Sequence, residues 1–204
     1  MIETLFSFVL ATSILAISPG PDNIYVLTQS IVNGKKYGLA TVFGLISGCI
    51  VHTTLLAFGV SAIIKESASI YFIIKLFGAS YLLFLAYQVF KSDDKILLSI
   101  DVDKKTTTQL FKQGFIMNVL NPKVTIFFLA FFPGFLFSEN ISKIKQFYIL
   151  GILFMLTSSI IFSTIAILAG QISNQIKANK NIGTFLKWLQ IFVFIGIAIY
   201  VLFT

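Results

Sequence analysis

Ser18-Pro19-Gly20-Pro21-Asp22-Asn23 interrupts the first apolar run of this chain. Two prolines and a glycine within three residues cannot continue a regular helix, because each proline removes a backbone donor and crowds the preceding turn. A second helix can restart at once, with Gly20 or Ser18 at the cap and proline in the first turn. Asp22 then lies where the positive end of the new helix favours a carboxylate. Further along, Asn118-Val119-Leu120-Asn121-Pro122-Lys123 repeats the pattern, with Asn121 as cap and Pro122 at the first helical position. The sequence around the two breaks decides what kind of protein carries them.

That sequence is strongly apolar. The chain has 204 residues, 57% hydrophobic and only 11% charged, with a mean hydropathy of +0.93. A soluble domain carries about 25% charged residues, so a water-soluble globule, a disordered chain and a coiled coil are poor readings. All fifteen cations are lysine. Without arginine there is no bidentate phosphate clamp, and the net charge of +7 is no sign of nucleic-acid binding. A single cysteine, Cys49, excludes an intramolecular disulfide and a paired-thiol redox site, and a single histidine, His52, excludes a histidine cluster for metal.

A membrane helix needs about 20 apolar residues. Six runs reach that length, at 5–29, 39–64, 67–90, 111–137, 147–172 and 183–203. The first could pass for a secretory leader, but Glu3 and the missing basic start argue that it is retained. Between the third and fourth runs lies a polar linker with Asp93, Asp94, Asp101, Asp103, Lys104 and Lys105. Of the thirteen lysines that flank the runs, ten fall on one side and three, Lys65, Lys143 and Lys145, on the other. The lysine-rich side is read as cytoplasmic, which places both termini outside. Three spans per half mean that a duplicated half must sit upside down relative to the first, the plan of many secondary transporters. The expected fold is an all-α integral membrane protein of six transmembrane helices built as two inverted three-helix repeats. It forms a single membrane domain over 1–204, with repeat one at 1–90, a cytoplasmic linker at 91–110 and repeat two at 111–204.

Apart from the flanking lysines, two lysines and one aspartate remain inside the spans: Lys75, Lys123 and Asp22. A charge in a membrane helix costs several kcal/mol on insertion scales, about 2.5–3.5, so it lines a cavity or finds a partner. Asp22 and Lys123 sit at the two matched breaks, and interrupted spans in corresponding positions point to a transporter's binding site. Asp22, Lys123, Asn23, Asn118 and Asn121 are the candidate substrate-binding or coupling residues, with Pro19, Gly20, Pro21 and Pro122 forming the breaks. Lys123 is the expected counter-ion of Asp22, and the pair suits a zwitterion. The structural alternative is that the prolines are kinks and the two charges only hold spans one and four together. Lys75 is expected to snorkel to the interface, with a gating or pairing role second. His52 ends the four-residue stripe Ala40, Gly44, Gly48, a close-packing face, and is expected to hydrogen-bond within the protein, with a proton-relay role second. Six phenylalanines between Phe127 and Phe137 are expected to face lipid or pack.

These motifs, Ser18-Pro19-Gly20-Pro21-Asp22 first, resemble the LysE/RhtB family of amino-acid exporters. The glycines Gly34, Gly38, Gly44 and Gly48 followed by His52 look like the family's second span, and Lys75 through Leu82 like its third. Gln113-Gly114-Phe115 through Asn121-Pro122-Lys123 is similar to its fourth. One departure stands out: after Pro133 the family usually has glutamine, and here there is Gly134. The resemblance implies export of amino acids or close derivatives across the bacterial cytoplasmic (inner) membrane, driven by proton antiport with alternating access. It implies no cofactor; the partners are an amino-acid substrate, protons and the lipid bilayer, and a homo-oligomer is left open.

Other classes fit less well. A rhomboid-type protease wants Gly-x-Ser-Gly, and Ser47-Gly48 lacks the leading glycine. A lipid phosphotransferase wants clustered acids for metal, whereas these aspartates lie in the linker. The alternative kept open is a metal or other cation carrier of a related six-span fold, which Asp22 alone supplies poorly with hard ligands. No enzyme is expected.

Overall fold

With no water in the hydrocarbon layer, backbone groups must pair within the segment that carries them, so an apolar chain of this kind folds as helices. The computed structural model describes residues 1–18, 20–92, 105–179 and 181–203, and among these there is no strand. Pro19, the linker charges at 93–104 and Lys180 lie outside the described residues. In chain order the helices are α1 (Ile2–Ile17), α2 (Pro21–Asn33), α3 (Lys35–Leu55), α4 (Ser61–Glu66), α5 (Ala68–Lys91), α6 (Thr107–Val119), α7 (Pro122–Ile126), α8 (Lys143–Ile167), α9 (Ala169–Ala178) and α10 (Asn181–Phe203). A wide π turn, Leu56–Val60, joins α3 to α4, and a second, Phe127–Phe131, carries α7 into a 3-10 turn at Phe132–Phe135.

Four helical stretches, Lys35–Ile63, Ser69–Lys91, Lys143–Ile167 and Asn181–Phe203, are each long and apolar enough to cross a membrane alone. The remaining candidates are bent pairs: α1 with α2 at 60°, and α6 with Pro122–Phe135 at 48°. Counting each pair as one span gives six. The bends fall at the proline motifs, where Gly20 and Asn121 are the N-caps and Pro21 and Pro122 open the next helix.

Two boundaries differ from the hydropathy reading. The fourth run begins at Thr107, because Thr106 and Gln109 form a capping box: the Thr106 hydroxyl accepts the Gln109 N–H, and the Gln109 side chain accepts the Thr106 N–H. The fifth run divides. Ser142 caps the start of α8 through the Lys145 N–H, and Leu168, at φ −91° and ψ 12°, ends it before α9 sets off.

The tightest seam lies between α3 and α6. A Cβ at Gly44 would strike the Phe111 carbonyl, and one at Gly114 would strike the Thr41 carbonyl, so these backbones touch only because neither residue has a side chain. Elsewhere α5 packs on α10, α3 on α8, α1 on α8, and α2 on α3, α8 and α9.

One end of the bundle carries Lys35, Lys36, Lys91, Lys105, Lys112 and Lys187; the other carries Glu3, Glu139, Lys143 and Lys145. At the lysine-rich end Lys187 Nζ donates to the Ser92 carbonyl at 2.7 Å, fastening α10 to the end of α5. The large core lies toward the other end. There the segment after the second break threads the middle of the bundle, and Phe127, Phe128, Phe131, Phe132 and Phe135 are all buried. Their rings stack on one another one turn apart, Phe128 on Phe132 at 4.1 Å and Phe127 on Phe131 at 4.4 Å. Of the expectation that these phenylalanines face lipid or pack, these five take the second form.

Candidate functional site

Breaking a helix orphans the last carbonyls of one piece and the first N–H groups of the next. At the first break the orphans are taken by side chains from both breaks. Asn23 Nδ2 donates to the Ala16 carbonyl at 2.7 Å. Lys123 Nζ donates to the Ser18 carbonyl at 3.4 Å, placing a cation at the negative end of α1. At the second break Asn121 caps its own helix, its Oδ1 accepting the Lys123 N–H at 3.0 Å. The other half of that amide crosses to the first break, where Nδ2 donates to Asp22 Oδ2 at 2.9 Å. The two breaks are therefore tied twice. The expected Asp22–Lys123 pairing takes an indirect form, with the carboxylate on the Asn121 amide and the ammonium on a backbone carbonyl.

Asp22 is 7% exposed. It shares with Lys123, Asn23, Asn118 and Asn121 the wall of a cavity of about 40 Å³, enclosed by α1, α2, α3, the second break and α8. Gly20 lies open to the ammonium, since a Cβ there would stand 3.5 Å from Lys123 Nζ. The Phe194 ring of α10 lies 5.3 Å from the same nitrogen, within cation–π range. All five candidate polar residues thus come together, with Gly20 and Pro21 beside them; Pro19 is outside the described residues.

The secondary candidates stand apart. His52 is buried and does not line the cavity; its Nε2 meets the Asn118 carbonyl at 3.0 Å and so anchors a residue that does. Gly48 leaves room for the same residue, because a Cβ there would lie 2.6 Å from Asn118 Oδ1. Lys75 reaches toward the near end of α5, as snorkelling expects, but under cover. Its amine turns one helical turn back, 5.8 Å from the Tyr71 ring centroid, yet the residue is only 8% exposed. The packing of α5 against α10 and the π segment places it under protein.

Three groups at the site were not signalled by charge or proline. Ser158 of α8 lines the cavity, 1% exposed, with its hydroxyl unpartnered. Cys49 lies 3.7 Å from Asn118 Oδ1, and Phe194 underlies Lys123. Ser158 stands in Thr157-Ser158-Ser159, the one run of three hydroxyls in the fifth span, which is the signal a closer reading would use.

A larger groove of about 800 Å³ opens between α1 and α10 at the lysine-poor end, lined by Glu3, Ser7, Gly134 and Tyr200 among apolar side chains. Gly134, the departure from the family pattern, belongs to this groove and not to the Asp22 cavity; its carbonyl accepts the Tyr200 hydroxyl at 3.2 Å. Among the described residues no three His, Cys, Asp or Glu side chains are grouped to hold a metal ion.

Comparison with known proteins adds a family to this geometry. The homoserine/homoserine lactone efflux protein of Salmonella typhimurium is 30% identical over 179 residues, covering 88% of this chain and 86% of that protein. An uncharacterized membrane protein of Vibrio cholerae is 25% identical over 195 residues, 96% of this chain and 94% of its own. The uncharacterized membrane protein YrhP of Bacillus subtilis is 27% identical over 145 residues, 66% of this chain and 68% of its own. No solved structure matches. Residues 13–204 match the family described as LysE type translocator, so a chain with two charged helix breaks around one buried cavity belongs to the LysE type translocators.

Proposed function

We propose that this chain exports a small amino acid or close derivative, homoserine being the first to test, in exchange for protons and by alternating access. The observation that carries the reading is the opposed pair of charges at two matched helix breaks lining one cavity. The Asp22 carboxylate receives the substrate ammonium in place of the Asn121 amide. The Lys123 ammonium leaves the Ser18 carbonyl to receive the substrate carboxylate. Asn23 on the Ala16 carbonyl and the Asn121 Oδ1 on the Lys123 N–H keep the ends of the half-helices capped while these exchanges occur.

The cavity volume argues for motion. About 40 Å³ has room for a water molecule and none for an amino acid, so loading requires the surrounding helices to part. Proton coupling follows from the same carboxylate: protonation of Asp22 at the outer face removes the charge that holds the ammonium and expels the substrate. Deprotonation at the inner face then resets the site.

The lysine-rich end is the cytoplasmic one in this reading, in the inner membrane, with both described ends of the chain outside. The two halves are inverted repeats. Supporting this, each half runs from a broken span to two long helices, and the matching helices pack on each other, α3 on α8 and α5 on α10. The cross-contacts are reciprocal as well, α1 on α8 and α6 on α3.

The test is Asp22→Asn, assayed as export from preloaded vesicles with a pH gradient. Export is expected to fall at least tenfold, and counter-flow of protons with it. Unchanged proton-coupled export would remove Asp22 from the mechanism.

A further inference from the structure

On α2 the residues Asp22, Tyr25, Gln29 and Asn33 recur at intervals of three, four and four, which sets them along one face of the helix. That face runs from the Asp22 cavity to the lysine-rich end. It lies inside the bundle, with Gln29 at 0% exposure. Only part of it is satisfied: Asn33 Nδ2 donates to Gln29 Oε1 at 2.9 Å. The Tyr25 hydroxyl and the Gln29 side chain stand beside each other, and the neighbouring Ser30 hydroxyl is buried without a partner. Buried polar groups in a membrane protein are expected to be paired or to line a path.

Beside this face, at Ser30, the neighbouring helices approach through small residues. A Cβ at Gly38 of α3 would stand 2.9 Å from the Ser30 Cβ and 3.3 Å from the Ala166 Cβ, so α2, α3 and α8 close together at three small side chains. Beyond them α9, a ten-residue helix, packs on α2, with Ala169 and Ser173 buried. It is set off from α8 only by the break at Leu168.

We infer that the polar face Tyr25–Gln29–Asn33 of α2 lines the passage by which a small, polar, ammonium-bearing solute reaches the Asp22 cavity from the lysine-rich end. The closure at Ser30, Gly38 and Ala166, backed by α9, is its gate. This rests on the proposed transport function, and supplies it with an inner route and the residues that line it. When the gate parts, water and then solute partner the Ser30 hydroxyl and compete for the Tyr25 and Gln29 side chains. Ile31, on the opposite side of α2 and 36% exposed, faces the surrounding lipid throughout.

The experiment compares Gln29→Cys with Ile31→Cys, each with Cys49 retained and its background subtracted. A membrane-impermeant cationic thiosulfonate is applied in vesicles at the face carrying Lys35 and Lys36. Gln29→Cys is expected to label at least tenfold faster than Ile31→Cys. Equal rates would overturn the passage, and Ser30→Cys serves as the probe if Gln29→Cys fails to reach the membrane. Labelling needs no transported substrate, so it can succeed where amino-acid export fails, and the reverse. The gate is tested by a disulfide between Ser30→Cys and Ala166→Cys. Its formation is expected to cut homoserine efflux at least fivefold, reversibly on reduction; efflux unchanged with the cross-link in place would show that this closure never opens.

Discussion

The Asp22 cavity is closed toward the two ends of the bundle by unlike materials. Toward the lysine-poor end stand aromatic rings: Phe154 lines the cavity itself and lies 4.9 Å from Phe128, which stacks on Phe132, and Phe132 meets Phe8 edge-on at 4.9 Å. Toward the lysine-rich end stand Ser30, Gly38 and Ala166, with the Ser30 hydroxyl buried without a partner and the polar side chains of Tyr25 and Gln29 close by. Parting the rings exposes apolar surface, at about 1.5–3 kcal/mol for each side chain fully uncovered. Parting the small residues admits a partner to the Ser30 hydroxyl, whose isolation costs about 1–3 kcal/mol. The same burial therefore opposes opening at one end and favours it at the other. Under the proposed alternating access, the bundle would open more readily toward the lysine-rich end, and substrate or proton binding would have to outweigh the ring cluster before the far end opened.

Breaking the aromatic closure gives the largest expected effect. Phe132 is fully buried and touches rings from α1, the π turn and α8. Phe132→Ala is expected to destabilise the folded protein by about 3–5 kcal/mol, since large-to-small core changes add a cavity to the lost transfer energy. Unfolding of the purified protein by denaturant measures it. A loss below about 1 kcal/mol would mean that the rings close nothing that matters.

The opposite sign is expected at the other closure. Ser30→Ala removes a hydroxyl that has no partner and leaves the small contact with Gly38 in place. It is expected to stabilise the folded protein by about 1 kcal/mol while slowing efflux, because the closed state gains and the open, hydrated state loses. A variant that is both less stable and slower would show that the hydroxyl is satisfied in the membrane. The contrast between the two ends would then fail.

How much of this was legible in the sequence follows the same divide. The breaks were, because Pro21, Asp22, Pro122 and Lys123 are exceptions inside apolar runs, and exceptions carry information. The small-residue stripe ending at His52 was also legible, since Gly44 and Gly48 at four-residue spacing have few uses besides close approach. The partners were not. Sequence places Asp22 and Lys123 at matched positions but cannot say that an asparagine amide stands against the carboxylate and a carbonyl against the ammonium. Nor was the cover over Lys75 legible, since it depends on the helices that pack on α5, a tertiary fact. Tyr25, Gln29 and Asn33 stand in plain view at helical spacing, but next to Lys35 and Lys36 they read as the polar end of a span. Only the burial of Gln29 separates a passage from a solvated terminus.

The smallest effect sharpens the contrast from the aromatic side. At the lysine-poor end a polar bond ties α10 to the turn after the second break, from the Tyr200 hydroxyl to the Gly134 carbonyl at 3.2 Å. If rings and not polar contacts hold this end, Tyr200→Phe keeps the stacking on Phe135 and removes only the hydroxyl's bonds. Hydrogen bonds within membrane proteins average about 0.6 kcal/mol, so stability should fall by about that much and efflux should stay within about twofold, a 0.4 kcal/mol change. A tenfold change in efflux would show instead that the outer closure turns on a polar latch at Gly134. The two ends would then differ in where their polar groups sit and not in kind.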